Sequence, residues 1–135
     1  MPTNRLPMLL DTNVLIWMFT DFERLGNKAR QAIANAEDLY VSVVSQYEVA
    51  IKQRLGHFDV LDQLEQELVR QEITQIPLKF GQFKQLVSLK QVAHRDPFDL
   101  LIVSLAIKRK VILVTADRIL LSMNVPGLMT LDARK

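Results

Sequence analysis

Pro7-Met8-Leu9-Leu10-Asp11-Thr12-Asn13-Val14-Leu15-Ile16-Trp17 carries a single charge, Asp11, placed where an apolar strand gives way to a helix. Met8–Asp11 is apolar on consecutive residues up to that acid, the pattern of a parallel strand covered on both faces. Asn13–Phe19 then continues at helical spacing. The same sequence of events recurs along the chain. Further strands are expected at Leu39–Val43, Gln75–Leu78, Val111–Thr115 and Met129–Leu131, and further helices at Asn27–Ala36, Ser45–Leu55, Leu61–Gln71, Lys79–Ser88, Pro97–Lys108 and Arg118–Met123. Strands alternating with helices imply an α/β protein. The expectation is a single three-layer α/β/α domain over residues 1–135, with a central, mostly parallel sheet of about five strands.

Composition narrows the chemistry. The chain has no cysteine, which excludes disulfides, thiolate catalysis and cysteine-ligated metal sites. Its two histidines are isolated, so no histidine-based nuclease or zinc pattern exists. Only four glycines occur, in neither a dinucleotide-binding nor a P-loop array, which sets aside a nucleotide cofactor bound through a glycine-rich loop. No apolar run reaches the roughly 18 residues of a membrane span, so a soluble, cytoplasmic protein is expected. A net charge of +2 permits a nucleic-acid partner without requiring one.

Asp11, Glu48, Asp99 and Asp117 stand in the most apolar stretches, each near a strand-to-helix handover. Each also has an ordinary structural explanation. Asp11 can form an Asx turn or cap, and Ser45-Gln46-Tyr47-Glu48 matches a capping box. Thr115 can cap the last helix with Asp117 in its first turn. Asp96 is the natural cap of the helix opened by Pro97, leaving Asp99 inside a helix apolar nearly all round and in need of another partner. What these explanations lack is an account of the acids together. In a parallel α/β sheet the carboxyl ends of the strands share one edge, where ligands bind at the switch point. Carboxylates gathered there repel one another unless a cation intervenes. Oxygen donors without cysteine or histidine favour Mg²⁺ or Mn²⁺.

The ordered set Leu9-Leu10-Asp11-Thr12-Asn13-Val14-Leu15-Ile16-Trp17, Ser42-Val43-Val44-Ser45-Gln46-Tyr47-Glu48-Val49-Ala50-Ile51-Lys52, His94-Arg95-Asp96-Pro97-Phe98-Asp99 and Leu113-Val114-Thr115-Ala116-Asp117 resembles PIN-domain nucleases, and more closely VapC-type toxins of bacterial toxin–antitoxin pairs. The resemblance spans essentially the whole chain. It implies a Mg²⁺- or Mn²⁺-dependent endoribonuclease that forms a homodimer and is held inactive by a small antitoxin. On it, Asp11, Glu48, Asp99 and Asp117 are the catalytic, metal-binding acids, and Thr115, Asn13 and Asp96 support them. One departure is Leu100, where relatives commonly carry arginine. The alternative is a non-catalytic RNA- or protein-binding module on the same fold.

For RNA phosphates the candidates are Lys52, one turn beyond Glu48, with Arg95 and Arg118 beside motif acids. Lys108-Arg109-Lys110 falls at a helix C-terminus, where cations complement the dipole, and reads as a solvated cap. Trp17, Phe19 and Tyr47 can stack on unpaired bases, but the core or an interface is the preferred reading of aromatics at helical spacing.

Overall fold

The computed structural model describes residues 6–89 and 96–135. His94 and Arg95 therefore lie outside the described residues. Five strands, β1 (Met8–Leu10), β2 (Leu39–Ser42), β3 (Thr74–Ile76), β4 (Ile112–Thr115) and β5 (Met129–Asp132), form one sheet in the order β3-β2-β1-β4-β5. Every pairing is parallel. The chain builds outward from β1 on one side to β3, then returns to lay β4 and β5 on the other. The crossover places a topological switch point between β1 and β4.

Period-two alternation separates two cores. Met8, Leu10, Val41 and Val114 pack with Val14 and Leu15 of α1 (Thr12–Thr20), Val49 of α3 (Val43–Arg54), and Leu64 and Leu68 of α4 (Leu61–Arg70). Ala32 and Ile33 of α2 (Asn27–Asn35) close that side. Leu9 and Leu113 face the opposite way, against Ile102, Val103, Leu105 and Ala106 of α6 (Pro97–Arg109) and Leu120 of α7 (Arg118–Ser122). Helix α5 (Phe80–Ser88) packs on α6. Helices on both faces of an all-parallel sheet give the three-layer α/β/α arrangement expected of the sequence. Among the described residues, no helix is long and apolar enough to cross a membrane.

The departures from the sequence reading are local. β3 ends at Ile76 because Pro77 has no N–H to continue the ladder. Helix α3 begins at Val43, two residues before the expected Ser45, because Ser42 caps it by accepting the Val44 N–H at 3.0 Å. Ser45 and Glu48 consequently do not form a capping box. Gly56, at φ +86°, does end α3 as anticipated, since only the left-handed conformation lets the chain turn there.

Beyond β5 the chain folds back over the sheet edge. Ala133 N–H donates to the Thr115 carbonyl at 2.8 Å, Gly26 N–H to the Ala133 carbonyl at 2.9 Å, and Lys28 N–H to the Lys135 carbonyl at 2.7 Å. The approach needs glycine: a Cβ on Gly26 would lie 2.3 Å from the Lys135 carbonyl carbon and 2.4 Å from the Arg134 oxygen. Gly26→Ala is therefore expected to destabilise the protein by about 1–3 kcal/mol, the usual range for overpacking, in urea unfolding. A change below about 0.5 kcal/mol, the scale of a neutral surface substitution, would show that the strap is not tight.

Candidate metal centre

Asp11 ends β1 and caps α1, its Oδ1 accepting the Thr12 N–H at 2.8 Å. Its other oxygen accepts the Thr115 hydroxyl at 2.7 Å, across the β1–β4 switch point. Only 4% of the residue is exposed. Burial pushes its carboxyl up to about 6 from an ordinary 3.8. The Thr115 and Thr12 bonds pull it down, while the negative charges of Asp99 and Asp117 raise it further.

Glu48, half-buried on α3, is tied to the same strand end. The Thr12 hydroxyl donates to Glu48 Oε1 at 2.6 Å and shares a 2.9 Å hydrogen bond with Ser45 Oγ. Thr12 thus holds Asp11 through its backbone and Glu48 through its side chain. Burial also raises the Glu48 carboxyl, against the lowering effect of Thr12, with the charges of Asp99, Asp11 and Asp96 adding to the rise. The placement of α6 explains why Asp99 reaches both. Tyr47 of α3 and Phe98 of α6 meet edge to face at 5.7 Å, so Glu48 and Asp99, the next residues of each helix, come to the same corner.

Asp117 sits after β4, but Thr115 is not its helix cap. Asp117 itself caps α7, accepting the Ile119 N–H at 2.8 Å and the Leu120 N–H at 3.3 Å through Oδ1. Thr115 instead accepts the Asp117 N–H at 3.1 Å while donating to Asp11, linking the two acids. Asp96 caps α6 through the Phe98 and Asp99 N–H groups, with Pro97 at the first position, as anticipated. Asn13 is exposed in the first turn of α1. Sequence reading missed Thr12 and Ser45 as parts of the site. The signal was present in Thr12 following Asp11, and in Ser45 lying one turn before Glu48 on the same helix face.

Among the described residues no three carboxylates are closed into a ligand cage. The donors nevertheless fit a hard divalent cation. All are oxygens, the charge of Asp99 raises the proton affinity of both Asp11 and Glu48, and among the described residues no cation adjoins Asp11 to hold it ionised. Lys52 lies half-buried one turn beyond Glu48, and Arg118 is exposed next to Asp117. Trp17 and Phe19 pack on the α1-side core, the former with the Arg24 guanidinium 5.1 Å above its ring, whereas Tyr47 is 57% exposed.

A family model for the PIN domain matches residues 8–125. The chain belongs to the PIN domain family. No curated protein matches it in sequence. In fold this PIN domain is similar to a chain of VapBC2 from Rickettsia felis, solved bound to a DNA fragment from its promoter, at TM-score 0.69 and 17% identity, covering 93% of this chain and 98% of that one. VapBC-1 from nontypeable Haemophilus influenzae gives TM-score 0.70 at 18% identity, covering 96% and 99%. A toxin–antitoxin complex from Klebsiella pneumoniae gives 0.64 at 21%, covering 91% and 96%. At such identities the likeness is one of fold.

The raised Asp11 carboxyl has a consequence for stability. Because the folded state holds this proton more tightly than the unfolded chain, its contribution is present below about pH 4 and lost as pH rises toward 6. A shift from 3.8 to about 6 corresponds to about 3 kcal/mol. In EDTA, Asp11→Asn should therefore gain on the wild type by about that much between pH 4 and pH 7, measured by urea unfolding at each pH. A stability difference that stays constant across this window would contradict the assignment.

Proposed function

We propose that the protein is a Mg²⁺- or Mn²⁺-dependent endoribonuclease, the toxin of a type II toxin–antitoxin pair, working in the cytoplasm as a homodimer of single-domain chains. The observation that carries the reading is a buried Asp11 at the carboxyl end of the central strand whose carboxyl is raised further by the charges of Asp99 and Asp117, beside a Glu48 raised in turn by Asp99 and Asp11. Membership of the PIN domain family and the shared fold with chains of VapBC complexes support it and point to a small antitoxin as partner.

Asp11 and Asp99 would hold the principal ion, with Glu48 and Asp117 completing the site. When bound, a divalent cation supplies charge neutralisation for the scissile phosphate and activation of water. The protein's own groups do the rest. Thr115 and Thr12 fix both oxygens of Asp11, so little reorganisation accompanies binding. Glu48 Oε1 is held by Thr12, which leaves Oε2 to orient the attacking water and take its proton. A carboxylate raised by burial suits that role better than an ordinary one. Lys52 and Arg118 are placed to meet the phosphates flanking the cut, and Arg95 is a further candidate by sequence.

Cleavage of single-stranded RNA with Mn²⁺ is the direct test. Asp11→Asn and Asp99→Asn should each lower the rate at least about 100-fold, since loss even of an outer partner of a metal ligand costs 10–100-fold. Undiminished cleavage by both variants in folded form would refute the mechanism. A second reading, a non-catalytic module that binds RNA or protein, is favoured by Leu100 at the usually basic position. Calorimetric titration with Mn²⁺ separates the two. A nuclease centre should bind the ion in a manner abolished by Asp11→Asn, whereas a module that has lost the site should show no binding heat.

A further inference from the structure

Between α7 and the turn after β5 lies an open cleft of about 490 Å³, lined by Arg118, Leu121, Ser122, Asp132, Arg134 and Lys135. It holds three cations and one acid. No carboxylate of the described residues forms an ion pair with Arg118, Arg134 or Lys135. Asp132 is turned to another use, its Oδ1 accepting the Arg134 backbone N–H at 2.9 Å.

The guanidinium of Arg134 is not free to wander. Its Nη2 donates to the carbonyl of Ala116, the buried residue between Thr115 and Asp117. That single bond leaves the remaining N–H groups of a five-donor fork for another acceptor. The backbone on either side is equally fixed, with Ala133 bound to Thr115 and the Lys135 carbonyl bound to Lys28. A pre-positioned guanidinium therefore stands against the loop that carries two residues of the acid centre. Arg118 and Lys135 flank it. One anchored guanidinium flanked by two further cations, none ion-paired with a carboxylate of the described residues, is matched by phosphate oxygens, which arginine takes up in bidentate fashion.

We infer that this cleft is a subsite for the phosphate backbone of single-stranded RNA, with Arg134 as its anchored contact and Arg118 and Lys135 as its flanks. The inference rests on the nuclease reading for the identity of the strand. It also chooses a direction: the bound RNA leaves the acid centre over α7 and β5, the side opposite Lys52.

The test is equilibrium binding of a short fluorescein-labelled single-stranded RNA to the full chain in EDTA, followed by anisotropy over a range of salt concentrations. Each phosphate contact on a single strand contributes about 0.7 to the slope of log affinity against log salt. Arg118→Gln/Arg134→Gln/Lys135→Gln should lose about 2 from the slope. Because Arg134 also holds Ala116, the double variant Arg118→Gln/Lys135→Gln, which keeps that bond, should lose about 1.4 in a fold that melts as the wild type does. The control Lys84→Gln/Lys108→Gln/Lys110→Gln removes equal charge from elsewhere and should leave the slope unchanged.

Unchanged slopes in both cleft variants, or an equal loss in the control, would overturn the subsite. Mn²⁺-dependent cleavage by the wild type, measured separately, distinguishes the two ways of failing. Cleavage with unchanged slopes overturns the cleft alone. Lost slopes without cleavage support the cleft while refuting the nuclease, and a wild type that binds no RNA overturns both.

Discussion

Burying a carboxylate at the end of the central strand is the constraint around which the site is organised. Asp11 lies where β1 stops, and its two oxygens are claimed from different directions, by the Thr12 backbone and by the Thr115 hydroxyl. Those bonds only partly offset desolvation. The chain thus retains an unfavourable group in a place where apolar residues would pack more stably. Such a conflict between local stability and sequence is characteristic of functional positions. Each acid that approaches Asp11 worsens it, so the cluster makes physical sense as a receptor for positive charge.

Among the described residues, hydroxyls hold Asp11 and Glu48 in place. Thr115 joins Asp11 to the Asp117 backbone, and Thr12 joins Asp11 to Glu48, with Ser45 buried behind it. Had lysine or arginine supplied these contacts, the acids would already be neutralised and a metal would gain little by binding. Neutral donors orient the carboxylates while leaving their charge unspent. Arg118, Arg134 and Lys135 lie further out, around Asp117 and the chain's return over the sheet edge, where they can meet a phosphate.

Much of this was legible in the sequence because burial on both sides of a parallel sheet leaves an unmistakable trace. Leu9-Leu10, Val41 and Leu113-Val114 are apolar without alternation, and all belong to strands. Helix ends were harder. Val43 and Val44 favour a strand by their branching, yet the ladder stops at Ser42, whose hydroxyl starts α3 two residues early. That small displacement turned Ser45 and Glu48 from an apparent cap into parts of the site. Thr115 and Asp117 were exchanged for a similar reason: either can cap a helix, and only the position of Asp11 across the sheet shows which hydroxyl is already engaged. Contacts of long sequence separation, such as Thr12 with Glu48 or Arg134 with Ala116, leave no periodic signal at all. The acids could be nominated from one chain, while their hydroxyl scaffold required the fold.

The central claim is that Asp11, Glu48, Asp99 and Asp117 form one site for a hard divalent ion. The most direct measurement is the anomalous scattering of Mn²⁺ in crystals of the protein soaked at millimolar concentration. The account predicts an ion within bonding distance, roughly 2.0–2.3 Å, of Asp11 and at least one further acid of the cluster. Well-ordered acids with no anomalous peak among them, or a peak held only by surface carboxylates elsewhere, would contradict it.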